Sequence, residues 1–245
     1  MGKFNAIFWA IYMGSSLVGN LFAAFVIVNV NETIFYSIMT GLCVASSLFF
    51  LLLKQPVNQA KSIKQTEVVS WREVLDQMTE KRMLKFVPLI MTSGICIASN
   101  AGILVPLLTM TMSNTLRSQD WSEQVTNQHA LVALSVLGLG EIVGSLFYGR
   151  VLDRFGHKAI IISCMIGIVV AVSAVIAYVI FFKFYMWAAV AVCFLWGFQE
   201  AGLGVFLSCV MGFEFTSKTK PFAVKNFVQS LTVFAVLFIE SALTT

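Results

Sequence analysis

The chain reads Gly149-Arg150-Val151-Leu152-Asp153-Arg154-Phe155-Gly156-His157-Lys158 between two long apolar runs. Charged side chains are concentrated in this segment, and a glycine stands near each end of it. Glycine adopts backbone conformations that other residues avoid, so a pair of glycines favours a sharp reversal of the chain. We therefore expect Gly149 and Gly156 to permit a tight turn between two long apolar helices.

The composition indicates that these apolar helices cross a membrane. Hydrophobic residues make up 58% of the 245 residues and charged residues only 11%, whereas soluble domains carry about a quarter charged residues. A water-soluble fold of this length could not hide so much apolar surface, so the sequence predicts an all-α, polytopic membrane protein. The net charge of +4 lies in the polar loops of such a protein, where it sets orientation and gives no reason to expect a nucleic-acid partner.

Seven apolar segments are near or above the roughly 20 residues that a helix needs to cross the hydrocarbon core. They cover residues 4–30, 34–53, 86–112, 125–149, 159–182, 185–211 and 221–243. The first two form one predicted unit (1–53), a polar cytoplasmic linker occupies 54–85, and the other five form a second unit (86–245). The third span is interrupted by Gly94, Asn100, Gly102 and Pro106. Such interruptions predict a bent helix, which is either a gate, as in transporters, or an ordinary membrane kink.

The linker contains a predicted helix of its own. Ser70 and Glu73 match a capping box, and an apolar stripe follows at helical spacing, made of Trp71, Val74, Leu75 and Met78. The preferred interpretation is an interfacial helix that lies under the bundle. The alternative is a docking surface for a partner or an anionic lipid.

The distribution of basic residues predicts the orientation. Of the 16 lysines and arginines, all except Arg117 and Lys183 fall on one side of the predicted bundle. Lysine and arginine favour the cytoplasmic side, so the N-terminus is expected to be cytoplasmic and the C-terminus outside. The sequence does not indicate which membrane holds the protein.

The charged turn resembles a known signature. The pattern G-x-x-x-D-R-x-G-x-K between two membrane helices resembles the loop that joins helices two and three in the major facilitator superfamily, of which a weaker copy joins helices eight and nine. Val151, Leu152 and His157 depart from the usual residues and suit the second copy better. The linker at 54–85 likewise resembles the family's central linker, which makes the first span helix five. The chain therefore resembles helices five to eleven of a twelve-helix bundle.

Shorter motifs resemble the uncoordinated-ninety-three family within that superfamily. They are Phe8-Trp9, Gly14-Ser15-Ser16, Gly19-Asn20, Leu139-Gly140-Glu141-Ile142-Val143-Gly144, Gly197-Phe198-Gln199-Glu200-Ala201 and Pro221-Phe222-Ala223. The resemblance covers nearly the whole chain. It implies a facilitator fold whose members act as ion-channel regulators, as receptor-trafficking partners or as proteins regarded as transporters.

Three acidic residues, Glu141, Glu200 and Glu240, fall inside predicted spans. An ionised side chain at the bilayer centre costs about 2.5–3.5 kcal/mol on insertion scales, so such residues are candidates for function. One hypothesis is a proton or cation relay that lines a central cavity, with coupling by Glu141 and Glu200. The alternative is hydrogen bonding between helices that serves packing, and Glu240 is expected simply to reach water. The polar residues that accompany these acids are Asn20, Asn100, Gln199 and Gln229.

The resemblance also implies a conformational latch at the charged turn. Asp153 is expected to cap the first span near residues 2–5, because the backbone donors and the dipole of a helix N-terminus favour an anion. Arg150 or Arg154 is expected to reach Glu214 at the end of the sixth span. The predicted latch consists of Gly149, Arg150, Asp153, Arg154, Gly156 and Glu214.

Two functions remain open from the sequence. The first is a facilitator-type secondary transporter, whose alternating access needs two six-helix halves, so a chain with two helices of the first half is not expected to transport alone. The second is a non-transporting regulator, trafficking partner or structural subunit of a channel, receptor or larger membrane complex. The expected surroundings are the lipid bilayer. No hydrolase, metal or haem motif is present, so neither enzymatic activity nor a cofactor is expected.

Overall fold

The computed structural model describes residues 2–52, 71–113, 122–181, 185–215 and 219–244. These residues form helices and no strand, which confirms the predicted all-α class. In chain order the helices are α1 (Gly2–Asn29), α2 (Glu32–Leu51), α3 (Trp71–Thr79), α4 (Lys81–Leu84), α5 (Val87–Ser99), a π-helical segment (Asn100–Leu104), α6 (Val105–Ser113), α7 (Glu123–Phe181), α8 (Met186–Phe213) and α9 (Thr219–Thr244).

Five helical stretches among the described residues are long and apolar enough to cross a bilayer. They are α1, the run formed by α5, the π-helical segment and α6, then α7, α8 and α9. The apolar part of α2, Thr33–Phe49, is shorter. With 59 residues, α7 would be roughly 90 Å long if it were straight, about three times the hydrocarbon thickness. It therefore has to turn back on itself.

That reversal takes place at Gly156. Its φ of 78° lies in the left-handed region that side chains rarely adopt, and the residues on both sides of it are helical. Tyr148, before the turn, approaches Gly167, after it: a Cβ on Gly167 would lie 2.7 Å from the Tyr148 hydroxyl. The two arms of α7, residues 123–155 and 157–181, thus fold into a helical hairpin that supplies the fourth and fifth predicted spans.

The expectation that Gly149 also helps to reverse the chain is wrong. Gly149 lies inside the first arm of α7 in helical conformation. Its lack of a side chain serves another purpose, because a Cβ at this position would overlap the Cβ of Ala6 on α1. Gly149 therefore lets the N-terminal end of α1 approach the backbone of α7.

The most enclosed helix is α8. In its most apolar stretch of 18 residues, 67% of the residues are buried inside the protein, compared with 11% for α1. It packs mainly against α7, and it contacts both arms of the hairpin: a Cβ on Gly202 would lie 2.7 Å from Cys164 Sγ on the second arm and 2.8 Å from the Tyr148 ring on the first. Helix α7 also packs against α1, and α5 packs against α9. The polar candidates on α7 and α8 therefore sit at the centre of the bundle.

Glycines allow α7 and α8 to cross with their backbones in contact. A Cβ on Gly140 would overlap the carbonyl oxygen of Phe194, and a Cβ on Gly144 would overlap that of Phe198. On the opposite helix, a Cβ on Gly197 would overlap the carbonyl oxygen of Leu137. Small residues at a helix interface are the usual means by which membrane helices approach closely. We refer to this crossing as the glycine seam, defined by Gly140, Gly144 and Gly197.

The helix predicted in the linker is present as α3. Val74 is buried against the same cluster as Val224 on α9, and Lys220 Nζ lies 2.9 Å from Glu73 Oε2. Leu75, in contrast, is largely exposed. Ser70, the other half of the predicted capping box, lies outside the described residues. The contacts to the start of α9 are consistent with a helix that lies under the bundle.

The glycine seam generates a stability prediction. Gly140→Ala and Gly197→Ala should each destabilise the protein by about 1–3 kcal/mol, the usual cost of overpacking. Each overlap is with a backbone carbonyl, which cannot move unless the helices separate. This cost outweighs the roughly 1 kcal/mol that alanine gains in helix propensity. Thermal unfolding of the purified protein in detergent measures the change.

Gly19→Ala is the matched control for these variants. Gly19 is also a helical glycine, but a Cβ there would meet no atom within 4 Å. This variant should unfold at the same temperature as the unaltered protein or at a higher one. If Gly140→Ala behaves like Gly19→Ala, the helices do not touch at the seam.

Candidate functional site

Two carboxyl groups lie together at the glycine seam. Glu141 on α7 is 3% exposed and Glu200 on α8 is 8% exposed, and the two groups interact electrostatically. A Cβ on Gly197 would lie 3.2 Å from Glu141 Cγ, so the glycine leaves the space that the Glu141 side chain occupies. The same glycines that bring the helices together thus bring the two acids together.

Neighbouring helices contribute polar atoms to this pair. The hydroxyl of Ser16 on α1 faces the carboxyl group of Glu141, and the thiol of Cys96 on α5 lies close to Glu200. In the described part of the chain, Oε2 of each glutamate has no hydrogen-bond partner. Adjacent carboxylates repel each other strongly where water is scarce. The arrangement suits a pair that takes up and releases a proton or a monovalent cation.

Gln199, next to Glu200, faces α5. Its side chain is almost fully buried, and Cys96 Sγ lies 3.9 Å from its Oε1 in a thiol hydrogen bond. Trp196 Nε1 donates to the carbonyl oxygen of Cys96 at 3.3 Å, and Gln229 Nε2 on α9 donates to Ser93 Oγ on α5 at 3.0 Å. These bonds connect α5 to both α8 and α9 within the span.

The two predicted asparagines line a cavity of about 510 Å³. Asn20 comes from α1 and Asn100 from the start of the π-helical segment, and Asn20 Nδ2 donates to the carbonyl oxygen of Leu134 at 3.4 Å. Ser16, which faces Glu141, lines the same cavity. The predicted residues therefore occupy two adjoining places: the asparagines line the cavity, while Glu141, Glu200 and Gln199 lie in the helix interfaces beside it.

Glu240 does not behave as expected. Its two carboxylate oxygens are shielded from solvent, and a Cβ on Gly102 would overlap Oε2. The side chain of Glu240 therefore turns inward from α9 against the π-helical segment instead of reaching water. Glycine at position 102 leaves the room for it.

Asp153 contacts the first turn of α1. Gly2 N donates to Asp153 Oδ1 at 2.7 Å, and Lys3 N donates to Asp153 Oδ2 at 2.6 Å. The first amide groups of a helix have no partners within that helix, so a carboxylate satisfies them. This is the contact that the resemblance implies, and its role as a latch stays a prediction.

The expected partners of Glu214 are wrong. Glu214 pairs with Arg82 Nη2 at 3.4 Å and with His157 Nδ1 at 3.1 Å. Arg150 donates instead to the carbonyl oxygen of Leu146, and the Arg154 guanidinium lies over the ring of Phe155. The reason is the position of the side chains. Arg150 and Arg154 lie on exposed parts of α7, whereas Arg82 of α4 and the imidazole of His157 lie at the end of α8.

Lys225 on α9 was not among the predicted site residues. It counted only among the basic residues of the predicted cytoplasmic side, although the predicted seventh span, 221–243, includes it. The structure buries this side chain to 7% exposure and places its ammonium group 6.0 Å from the ring centroid of Trp9. A basic residue inside an apolar span was the signal that could have identified it.

The fold and its buried polar groups define a polytopic, transporter-like membrane protein. The family model described as the Major Facilitator Superfamily matches residues 1–239. The chain therefore belongs to the major facilitator superfamily. No curated protein and no solved structure matches it.

The contact between Asp153 and α1 generates a second prediction. Asp153→Ala should destabilise the protein by about 1 kcal/mol, the typical cost of losing a helix cap, because two amide groups of α1 lose their acceptor. Asp153→Asn should cost less, since the amide keeps one acceptor oxygen. Unfolding in detergent measures both changes.

Arg150→Ala is the control for the predicted latch. Arg150 belongs to the expected latch, but among the described residues its guanidinium donates to a carbonyl oxygen of its own helix. Its removal should change the unfolding temperature little. Equal destabilisation by Arg150→Ala and Asp153→Ala would show that the bonds to α1 are not what holds this end of the bundle.

Proposed function

We propose that the chain supplies the coupling helices of a facilitator-type secondary transporter, in which Glu141 and Glu200 couple ion movement to solute movement. The observation that carries this proposal is the pair of buried carboxyl groups at the contact of α7 with α8, beside a cavity that α1 also lines. Acids inside a membrane bundle are costly and mark ion pathways. No enzymatic role is proposed.

Proton or cation uptake by the pair would change the force between α7 and α8. When both carboxyl groups are charged they repel each other across the seam, and a bound proton or cation removes that repulsion. The first arm of α7 also contacts α1, since a Cβ on Gly138 would lie 2.5 Å from Leu17 N. A shift of α7 is therefore passed to α1 and to the cavity between them.

The cytoplasmic contacts supply the proposed latch. Asp153 connects the first turn of α1 to α7 by two hydrogen bonds. Glu214 connects the end of α8 to α4 and to the second arm of α7. Alternating access in this superfamily moves one group of helices against another. In the proposed cycle these contacts hold the conformation described here, and they separate when the helices move.

The finer family assignment is part of the proposal. The motifs around Trp9, Glu141 and Glu200 resemble the uncoordinated-ninety-three family, and those residues lie where α1, α7 and α8 meet. The resemblance supports a transporter-like member of that family with an unidentified solute. It equally supports the role of ion-channel regulator.

One observation favours this second candidate, a non-transporting regulator, trafficking partner or structural subunit. In the described residues α2 packs mainly against α1 and leaves most of its apolar side chains exposed, among them Tyr36, Leu48 and Phe49. Lipid or a helix of another membrane protein can cover such a surface. Under this alternative the buried acids serve packing alone.

A flux experiment separates the two candidates. The chain is purified from its native membrane together with any protein that stays bound to it, and is reconstituted into proteoliposomes under an imposed proton gradient. Radiolabelled sugars, amino acids, organic acids and nucleosides are then offered. We expect gradient-driven accumulation of at least one of these solutes. Glu141→Gln and Glu200→Gln should each lower that accumulation by on the order of tenfold, the size of a typical coupling energy.

Glu123→Gln is the control, because Glu123 lies exposed in the first turn of α7, the helix that carries Glu141. It should leave accumulation unchanged. If no solute accumulates with folded, reconstituted protein, the regulator is favoured. If solute accumulates but the Glu141 and Glu200 variants match Glu123→Gln, the acids serve packing.

A further inference from the structure

Lys225 is a buried cation without a carboxylate partner in the described part of the chain. It lies near the start of α9, within the membrane-crossing stretch Thr219–Ala242, and its side chain is 7% exposed. The ion pairs formed by the described residues involve other cations, including Lys220 on the same helix, which pairs with Glu73. Among the described residues, the aromatic partner of Lys225 is the ring of Trp9, at 6.0 Å.

That contact does not compensate for burial of the charge. At 6 Å a cation–π interaction is at its outer limit and contributes about 0.5–1 kcal/mol at exposed sites, whereas a charge placed in the span costs about 2.5–3.5 kcal/mol on insertion scales. Lysine side chains near membrane ends often extend to water. The low exposure of Lys225 indicates that its ammonium group instead faces the interior.

A cavity of about 430 Å³ lies beside this ammonium group. It is distinct from the cavity lined by Asn20 and Asn100, and α1, α5, α8 and α9 all contribute to its wall. No acidic residue is found among the described residues that line it. Its volume lies within the roughly 300–1,000 Å³ that is usual for small-molecule sites.

The wall of this cavity combines aromatic rings with hydrogen-bond donors. Phe8, Trp9, Tyr12 and Phe222 provide apolar and aromatic surface. The amide of Asn226 has no hydrogen bond within the described residues, and Ser208 Oγ accepts from Trp9 Nε1 at 2.9 Å, which leaves its own hydroxyl proton to donate. An anion bound here would contact the ammonium group of Lys225 and two neutral hydrogen-bond donors. The apolar part of the anion would contact the aromatic rings.

We propose that this cavity binds an amphipathic organic monoanion, such as an aromatic carboxylate, whose charged group pairs with the ammonium group of Lys225. One buried cation matches one negative charge, and the aromatic wall matches a flat apolar body. Charge-assisted hydrogen bonds of this kind are roughly twice as strong as neutral ones. The inference rests on the proposed transport function, for which it names a substrate class, but its test measures binding alone and is independent of flux.

The test compares two ligands of one shape. Binding of 2-naphthoate and of neutral 2-naphthamide to the full chain in uncharged detergent is measured by equilibrium dialysis. Naphthoate should bind at least about tenfold more tightly than naphthamide, as expected for one hydrogen bond to a charged group. Lys225→Met should abolish that preference, and Lys225→Arg should largely keep it.

Lys220→Met is the matched control, because it removes a charge from the same helix at the cytoplasmic surface, where Lys220 pairs with Glu73. It should keep the preference for naphthoate. Each variant is first compared with the unaltered protein by thermal unfolding, and Lys225→Arg provides a folded variant if Lys225→Met fails to fold.

Two results would overturn the proposal. The first is an equal affinity for naphthoate and naphthamide in the unaltered protein, or a preference that Lys225→Met retains. The second is a co-purifying anionic phospholipid, detected by mass spectrometry, that is lost in Lys225→Met while naphthoate fails to bind. That outcome would assign Lys225 to a lipid headgroup instead of a soluble anion.

Discussion

The direct backbone contact between α7 and α8 is the constraint on which the rest of the structure depends. At Gly140, Gly144 and Gly197 a Cβ would overlap carbonyl oxygens of the opposite helix, so the two backbones are in direct contact. Lipid provides no hydrophobic force that would push two helices together, and close packing has to supply the attraction. The most enclosed helix of the bundle, α8, owes its position to this contact.

The same contact determines where the polar groups lie. Glu141 and Glu200 follow from it directly, since each is next to or near a seam glycine in the sequence and both point into the shared interface. Gln199 is connected to α5 and Gln229 connects α9 to α5, so the polar bonds extend from the seam to the helices around it. Two cavities lie beside these polar groups, and α1 lines both of them.

The long helices could be predicted from the sequence, and so could the role of one of the two glycines in the charged turn. Apolar runs of the length of a bilayer predicted each long helix, and the charged turn predicted the reversal within α7. The pattern did not reveal that Gly156 needs its positive φ while Gly149 needs only the absence of a side chain, since both reasons select the same residue. Only the position of α1 distinguishes them.

The site was harder to predict because it depends on how separate helices pack against each other. Glu141 and Glu200 stood out because acids are rare in apolar spans, but their proximity depends on how two separate helices cross. The partners predicted for Glu214 were wrong because the position of Arg82 depends on how α4 packs, which cannot be read from the sequence. Lys225 was missed because its burial comes from Trp9 and from the packing of α9, and neither is visible in the local sequence.

The π-helical segment Asn100–Leu104 has a mechanical consequence. Each of its hydrogen-bonded turns holds one residue more than an α-helical turn, so α6 is rotated relative to the direction that α5 alone would give it. Conversion of the segment to α-helix would turn α6 about its axis by roughly 100°, the angle of one residue. Such a conversion would leave the bonds of α5 to α8 and α9 in place. The Glu240 side chain lies against the segment at which this rotation would occur.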